Sequence, residues 1–357
     1  MIVQEPHSDY FIHRHPHDFC GVPCWLYVPE AKTAWSAHNL HYRSLITERA
    51  TDKVVSTGWP KFFNLGERPT CYPDPNSYND WVITEKLDGS LLILDYYNGQ
   101  LSMRTRGSVS HTTQANASDF EELFVQHPEL QDWKDENVSL LFEICTPNNV
   151  IVIRPDKVRF VLLGGVYKTD LSILTDKQIQ KFAGKYKLNT PLRYNFNSIW
   201  DIAEEVKNWK GLEGVVLSYN NNQNRIKLKS DWYQRLHKIK SQLNSEANLL
   251  EFYVVNNMPS YDEFFHQIET TFDWEIANQL RGQISRLVDA SKQVKSIVDG
   301  MLRFVDTIKG LPTRKEQAQL ILSSYGQTNR ASMVFALLDG KNLSNEQLTK
   351  LLYQVLS

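Results

Sequence analysis

No run of about eighteen apolar residues occurs anywhere in the chain, so nothing in it is expected to span a membrane. The opening MIVQEPHSDYFIHRHPH has no apolar core of the kind a secretory leader carries, and none is expected. Cysteine is sparse: Cys20, Cys24, Cys71 and Cys145 are the only four in 357 residues, too few and too scattered for a disulfide framework. These absences point to a soluble protein of a reducing compartment, the cytoplasm. Neither sign of charge dominates, with 39 Lys and Arg against 41 Asp and Glu. Any nucleic-acid surface must therefore come from local clustering of cations. Internal repeats and low-complexity tracts are missing as well. The length allows two domains, or one large domain with an appendage.

What is present begins with a histidine-rich segment. His7, His13, His15 and His17, with Cys20 and Cys24, are the ligand types zinc uses, but their spacing fits no closed site. The simpler expectation is a surface segment whose aromatics pack on the core. In HNLHYRSLIT, Arg43 lies in a strand-like stretch, and Lys61 precedes the pair Phe62-Phe63. Each cation alone reads as an ordinary surface charge.

The stretch EKLDGSLLIL, Glu85 to Leu94, stands between the apolar runs WVIT and LLILDYY. That places Lys86 on a turn between strands, with Asp88 and Gly89 shaping the backbone. A lysine in this setting is a candidate covalent nucleophile toward a nucleotide phosphate, although so short a motif also occurs by chance. Asn98-Gly99 between LLILDYY and QLSMRTR signals a hairpin. TRGS, Thr105 to Ser108, ends it with the cation Arg106 and a glycine. SDFEELFVQHPELQDW reads as a helix capped by Ser118, with Glu121 in the first turn. LLFEICTP places Glu143 in a strand, either toward a site or on a wet face. NNVIVI reads as a short strand and KVRFVLLGGVY as a longer one. DLSILTDKQIQKFAGKYK and SIWDIAEEVKNWK read as amphipathic helices. GLEGVVLSYNNNQNRIKLKSDWY then gives strand, turn and strand, and alternation puts Lys227 and Lys229 on one face, about 6.5–7 Å apart. Beyond Lys240 only helical periods remain. The expectation is an α+β fold, with antiparallel sheets and flanking helices over 1–239 and an all-helical domain over 240–357.

In order, the chain carries K-L-D-G at Lys86, F-E at Glu143, L-E-G-V-V at Glu213 and K-L-K at Lys227 and Lys229. This series resembles that of the lysyl–nucleotidyl transferase superfamily: ATP-dependent DNA and RNA ligases and mRNA capping enzymes. WPKFFNLGE, FEICTPNNVIVI and KLKSDWYQRLH look like the phage tRNA-repair RNA ligases, the first RNA ligase family. The resemblance covers roughly residues 40–240. It implies that Lys86 takes the adenylyl group and that Arg43 and Lys61 contact the triphosphate. It makes Glu143 the ribose-side glutamate, Glu213 the metal-site glutamate, and Lys227 and Lys229 the α-phosphate lysines. Glu85, Gly89, Arg106 and Val216 fall in the nucleotide-binding set by the same match, and Tyr233 in SDWY also falls on a matching position. Arg106 stands where the family's pattern leads one to expect lysine, and a planar fork does not replace a point charge at a phosphate.

The implied cofactors are ATP, consumed as substrate, and magnesium or manganese. The implied partner is RNA, single-stranded or a broken tRNA anticodon loop, in a bacterial or phage-infected cytosol. No obligate protein partner is indicated. A lysine nucleophile must be neutral, which from a reference pKa near 10.4 costs about 4.6 kcal/mol at pH 7. Clustered cations and partial burial reduce that cost. The other readings are a catalytically inactive nucleic-acid-binding protein on the same scaffold, a DNA ligase, or a capping guanylyltransferase. The last two would carry a β-barrel domain after the lysine pair, where this chain has helices.

Overall fold

The computed structural model describes residues 11–243, 246–271 and 274–356. Internal contacts divide the chain into two compact units, Met1–Arg235 and Leu236–Ser357. The first is α+β, with sheets that are antiparallel except for one strand pair, and the second is all-helical.

Strands β1 (Ile12–Phe19) and β2 (Val22–Pro29) form a hairpin closed by Cys20 and Gly21, both at positive φ. Sequence reading expected only a surface segment here. Of β1, only Ile12 and Phe19 at its ends are buried, so HRHPH between them carries no apolar alternation to betray the strand. His13, His15 and His17 are exposed on it, and His7 lies outside the described residues. Among the described residues no three His, Cys, Asp or Glu side chains gather into a metal site. Arg43 belongs to a 3-10 helix, Leu40–Ser44, and not to a strand. Asn39 precedes it, its side chain accepting from the Ser36 N–H and donating to the Ala34 carbonyl while its own carbonyl accepts from the Tyr42 N–H. Strands β3 (Ile46–Glu48) and β4 (Val54–Ser56) complete a sheet of order β1-β2-β3-β4.

Next come β5 (Phe63–Asn64), β6 (Val82–Lys86), β7 (Ser90–Tyr97) and β8 (Gln100–Thr105). Asn98 and Gly99 join β7 to β8 with φ of 48° and 75°, the pair of positive values a two-residue hairpin turn demands. Helix α1 (Ala117–Gln126) has Asn116 at its N-cap position, so Ser118 lies inside the first turn and not at the cap. Pro128 stops the helix, and a 3-10 turn follows. Between β9 (Val138–Cys145) and β10 (Arg159–Tyr167), the segment NNVIVI is a loop, not the expected strand. Two of its backbone donors are taken by Asp88, whose Oδ2 accepts from the N–H groups of Val152 at 2.8 Å and Ile153 at 2.6 Å. Helix α2 (Asp176–Lys185) starts at a capping box of Thr175 and Gln178, later than its apolar pattern indicates. β11 (Arg193–Tyr194), α3 (Ile199–Lys207), β12 (Gly214–Tyr219), β13 (Asn224–Lys229) and α4 (Asp231–Leu243) close the series.

The second sheet runs β10-β9-β7-β8 and the third β11-β6-β12-β13-β5, with β13 and β5 parallel. Leu92, Leu94, Phe142 and Phe160 of the second sheet pack with Phe120 and Leu123 of α1 and Ile179 of α2. Val215, Leu217 and Ile226 of the third pack against Ile202 and Val206 of α3. A buried polar network ties the first sheet to the second. Asp95 on β7 accepts from Ser56 of β4 and from Ser139 of β9, and pairs with Lys168 at 3.0 Å. Fully buried Arg104 on β8 donates to the Ser56 hydroxyl and, at 2.7 Å, to the carbonyl of Ser44, next to Arg43.

The second unit comprises α5 (Glu246–Val255), α6 (Tyr261–Thr271), α7 (Trp274–Gln279), α8 (Arg281–Ile308), α9 (Arg314–Tyr325), α10 (Asn329–Leu338) and α11 (Asn345–Leu356). On α8, Ile284, Leu287, Ala290, Val294, Met301, Val305 and Ile308 recur at helical spacing and are buried, and α6, α10 and α11 pack on this helix. No helix among the described residues is long and apolar enough to cross a membrane.

Removing the Arg104 guanidinium takes its donors from the Ser44 carbonyl and the Ser56 hydroxyl oxygen in a dry interior. Arg104→Met is expected to destabilise the first unit by about 3 kcal/mol or more, read as a lowered urea midpoint.

Candidate active site

Strand register gathers the charged residues of the third sheet. Gly214, the first residue of β12, lies opposite Lys86 on β6 and opposite Lys229 on β13. Glu213, one residue earlier and almost fully buried, is thereby flanked by both lysines. Its Oε1 pairs with Lys86 Nζ and with Lys229 Nζ, each at 2.8 Å. Gly214 has φ +148°, and a Cβ there would lie 2.0 Å from the Leu228 carbonyl oxygen, so the close approach of β13 requires glycine. Two residues on, Val216 lies opposite Thr84 and Lys227.

The turn after Lys86 is anchored through Asp88. Its Oδ2 holds the loop before β10, and its Oδ1 accepts from the Tyr233 hydroxyl at 2.7 Å. Burial first, then Glu213 and Asp88, push the Tyr233 phenol up, which keeps it a donor. The Lys229 ammonium lies 4.8 Å from the Tyr233 ring centroid. Gly89 is equally constrained, since a Cβ there would come within 2.4 Å of the Ile144 carbonyl oxygen.

Between the second and third sheets lies a cavity of about 240 Å³. Arg43, Glu85, Lys86, Gly89, Glu143 and Val216 line it. Lys61, Arg106, Glu213, Lys227 and Lys229 are not on its wall, but the charges among them act on one another. Burial, and then Lys229, Lys61, Lys86 and Arg43, bring the Lys227 ammonium down to about 8. Burial, then Arg106, brings the Arg43 guanidinium down to about 10, and its Nε has no hydrogen-bond partner. An orphaned buried donor on a cavity wall marks a place for an acceptor from outside the chain. Phe62 lies between the cations, its ring centroid 5.7 Å from Arg43 and 5.6 Å from Lys227. Arg106 is exposed beyond β8 and acts on Arg43 and Lys61 through its charge alone.

Glu143 sits on β9 opposite Leu91 and Val161 and lines the cavity, so it is not on a wet face. Burial, with Glu213 and Asp88 adding to it against the opposing effect of Lys86, raises its carboxyl to about 7. Glu213 takes both lysines on one oxygen, Oε1, and Glu143 lies close enough for the two carboxylates to act on each other. Magnesium needs only one or two carboxylates, with water and phosphate completing its shell, so Glu213 with Glu143 fits such an ion.

Sequence reading missed Trp59, Asn222, Arg225 and the Asp176–Arg193 pair, all on the cavity wall. Only Arg225 carried a signal: it stands two residues before Lys227, on the same face of β13.

Residues 41–243 match the family model described as RNA ligase. The chain belongs to this RNA ligase family. A protein of Autographa californica nuclear polyhedrosis virus, named as a bifunctional polynucleotide kinase/RNA ligase, is 27% identical over 238 residues, 62% of this chain and 34% of its own. One from Thermovibrio ammonificans, named as an RNA ligase, is 24% identical over 204 residues, 55% of this chain and 52% of its own. The match thus spans about a third of the viral relative and half of the bacterial one. An archaeal ATP-dependent RNA ligase structure is 13% identical with a TM-score of 0.47, covering 75% of this chain and 74% of that one.

The raised Glu143 carboxyl sets a pH test. Between the unfolded value near 4.3 and about 7 the folded state holds the extra proton, so stability falls as pH rises through that window. Glu143→Gln removes this contribution, at most about 4 kcal/mol. The urea midpoint of the parent is therefore expected to fall more between pH 5 and pH 8 than that of the variant.

Proposed function

We propose that the chain is an ATP-dependent RNA ligase that joins 5′-phosphate and 3′-hydroxyl ends through a covalent lysyl-AMP. The observation that carries this reading is the Lys86 ammonium, held with Lys229 on Glu213 at the wall of a cavity that also presents the unpaired Arg43 Nε. In the first step Lys86 Nζ, having lost a proton, attacks the α-phosphorus of ATP. An N–P bond forms, the α–β anhydride breaks and pyrophosphate leaves. In the second, an oxygen of the RNA 5′-phosphate displaces Lys86, and AMP passes to the RNA. In the third, the 3′-hydroxyl attacks the activated phosphorus and AMP departs.

Lys227 and Lys229 neutralise charge developing on the α-phosphate, the main contribution a protein makes to phosphoryl transfer. Arg43 and Lys61 orient the leaving pyrophosphate, Arg106 belongs to the nucleotide-binding set, and Glu143 holds the ribose. Glu85, Gly89 and Val216 shape the nucleotide's bed. Magnesium or manganese, held by Glu213, would supply further neutralisation of phosphate charge when bound. Residues 1–239 then form the adenylation domain. The helical domain over 240–357 would grip RNA phosphates through Lys and Arg side chains such as Lys292, Lys295 and Arg314. Ends in a broken tRNA anticodon loop, single-stranded and open to stacking, are the proposed substrate.

Incubation with α-labelled ATP is expected to label the protein, and Lys86→Ala to abolish the label while sealing of pre-adenylylated RNA survives. A label from GTP alone would instead indicate capping chemistry, and none from either nucleotide a binding protein. Arg43→Ala and Lys61→Ala are expected to lose at least about tenfold in the ATP step and little on pre-adenylylated RNA, an interaction worth about 1.4 kcal/mol or more. Equal loss on both substrates would remove them from the pyrophosphate role.

A further inference from the structure

Alternation along β13 puts a third cation in line with the paired lysines. Arg225, Lys227 and Lys229 occupy one face of the strand, at steps of about 6.5–7 Å. The lysines sit among other charges, but Arg225 does not. Burial alone brings its guanidinium down to about 9, with no neighbouring charge contributing. Only 9% of the residue is exposed, and among the described residues no carboxylate pairs with it. Asp176 also lines the cavity, but it is engaged by both terminal nitrogens of Arg193. Arg225 instead stacks at 3.6 Å on Trp59 and donates to Asn222, to Oδ1 at 2.9 Å and to the carbonyl oxygen at 3.4 Å. A buried cation without a counter-ion is costly, and a guanidinium has five N–H donors, more than Asn222 engages.

Position along the strand says what those donors meet. Strand register sets Lys86 opposite Gly214 and Arg225 opposite Ser218, four residues further along β12, and both Lys86 and Arg225, with its stacked Trp59, line the cavity. A nucleotide whose α-phosphate lies at Lys86 would extend its base toward the Arg225 end. We propose that Arg225, tethered by Asn222 and stacked on Trp59, donates to a ring-nitrogen acceptor of the bound purine and sets which base the site admits. This rests on the nucleotidyl-transfer reading and makes Arg225 its specificity determinant. A site built to donate to a substrate atom rejects an analogue lacking that atom far more strongly than an apolar pocket does.

The test compares ATP with 1-deaza-, 3-deaza- and 7-deaza-ATP, each missing one ring acceptor, by calorimetric binding to the full chain. One analogue is expected to bind the parent at least about tenfold more weakly than ATP. That penalty should vanish in Arg225→Met, which would bind ATP and the analogue alike, and shrink in Asn222→Ala, where the tether is lost. Should Arg225→Met fail to fold, Asn222→Ala decides by the same comparison. Three analogues binding the parent as tightly as ATP, or a penalty unchanged in the variants, overturns the role of Arg225 and leaves nucleotidyl transfer standing. A parent that neither binds ATP nor takes up its label overturns both.

Discussion

One carboxylate oxygen, Glu213 Oε1, holds two ammonium groups from strands on either side of it. Much of the first unit can be read as the apparatus that makes this contact. The two lysines come from β6 and β13, far apart in sequence, and meet only because β12 runs between those strands with Gly214 opposite both. The glycine is needed because the Leu228 carbonyl occupies the space of a side chain. Sheet register, not local sequence, sets the spacing of the charges.

Around that contact the second sheet contributes one acid and one wall. Glu143 is held by β9 against the open face of the Lys86 turn, and Asp88 anchors the turn by accepting from a backbone loop on one side and Tyr233 on the other. Asp88 is thus spent on architecture, while Glu213 and Glu143 remain beside the cavity. Arg104 has a similar architectural part at a distance. By donating to the Ser44 carbonyl it fixes the 3-10 helix that carries Arg43, a cation whose own Nε is left without a partner. Buried donors without acceptors are costly, and a chain that keeps one on a cavity wall is organised for a ligand's oxygen.

The readable parts of the sequence were those in which period and turn chemistry agree. LLILDYY and QLSMRTR around Asn98-Gly99 could form little else, and the long apolar stripe of α8 needed only its helical spacing. Where polar groups reassign the backbone, periodicity misleads. NNVIVI has the composition of a strand, yet the N–H groups of Asn148 and Asn149 go to Thr146 and those of Val152 and Ile153 to Asp88. The HRHPH strand has no apolar alternation because its middle faces water. Arg43 sits in a 3-10 helix that opens where the Asn39 carbonyl accepts from the Tyr42 N–H.

By itself the sequence determined the class of fold, the order of its charged motifs and membership of the RNA ligase family, since these depend on local pattern and on spacing along the chain. Tertiary structure alone decided that Lys86 and Lys229 share Glu213, that Glu143 faces a cavity, and that Arg225 is buried there without a carboxylate. The physical reason is that burial and charge proximity, which set how an ionisable group behaves, are properties of what the fold brings near it.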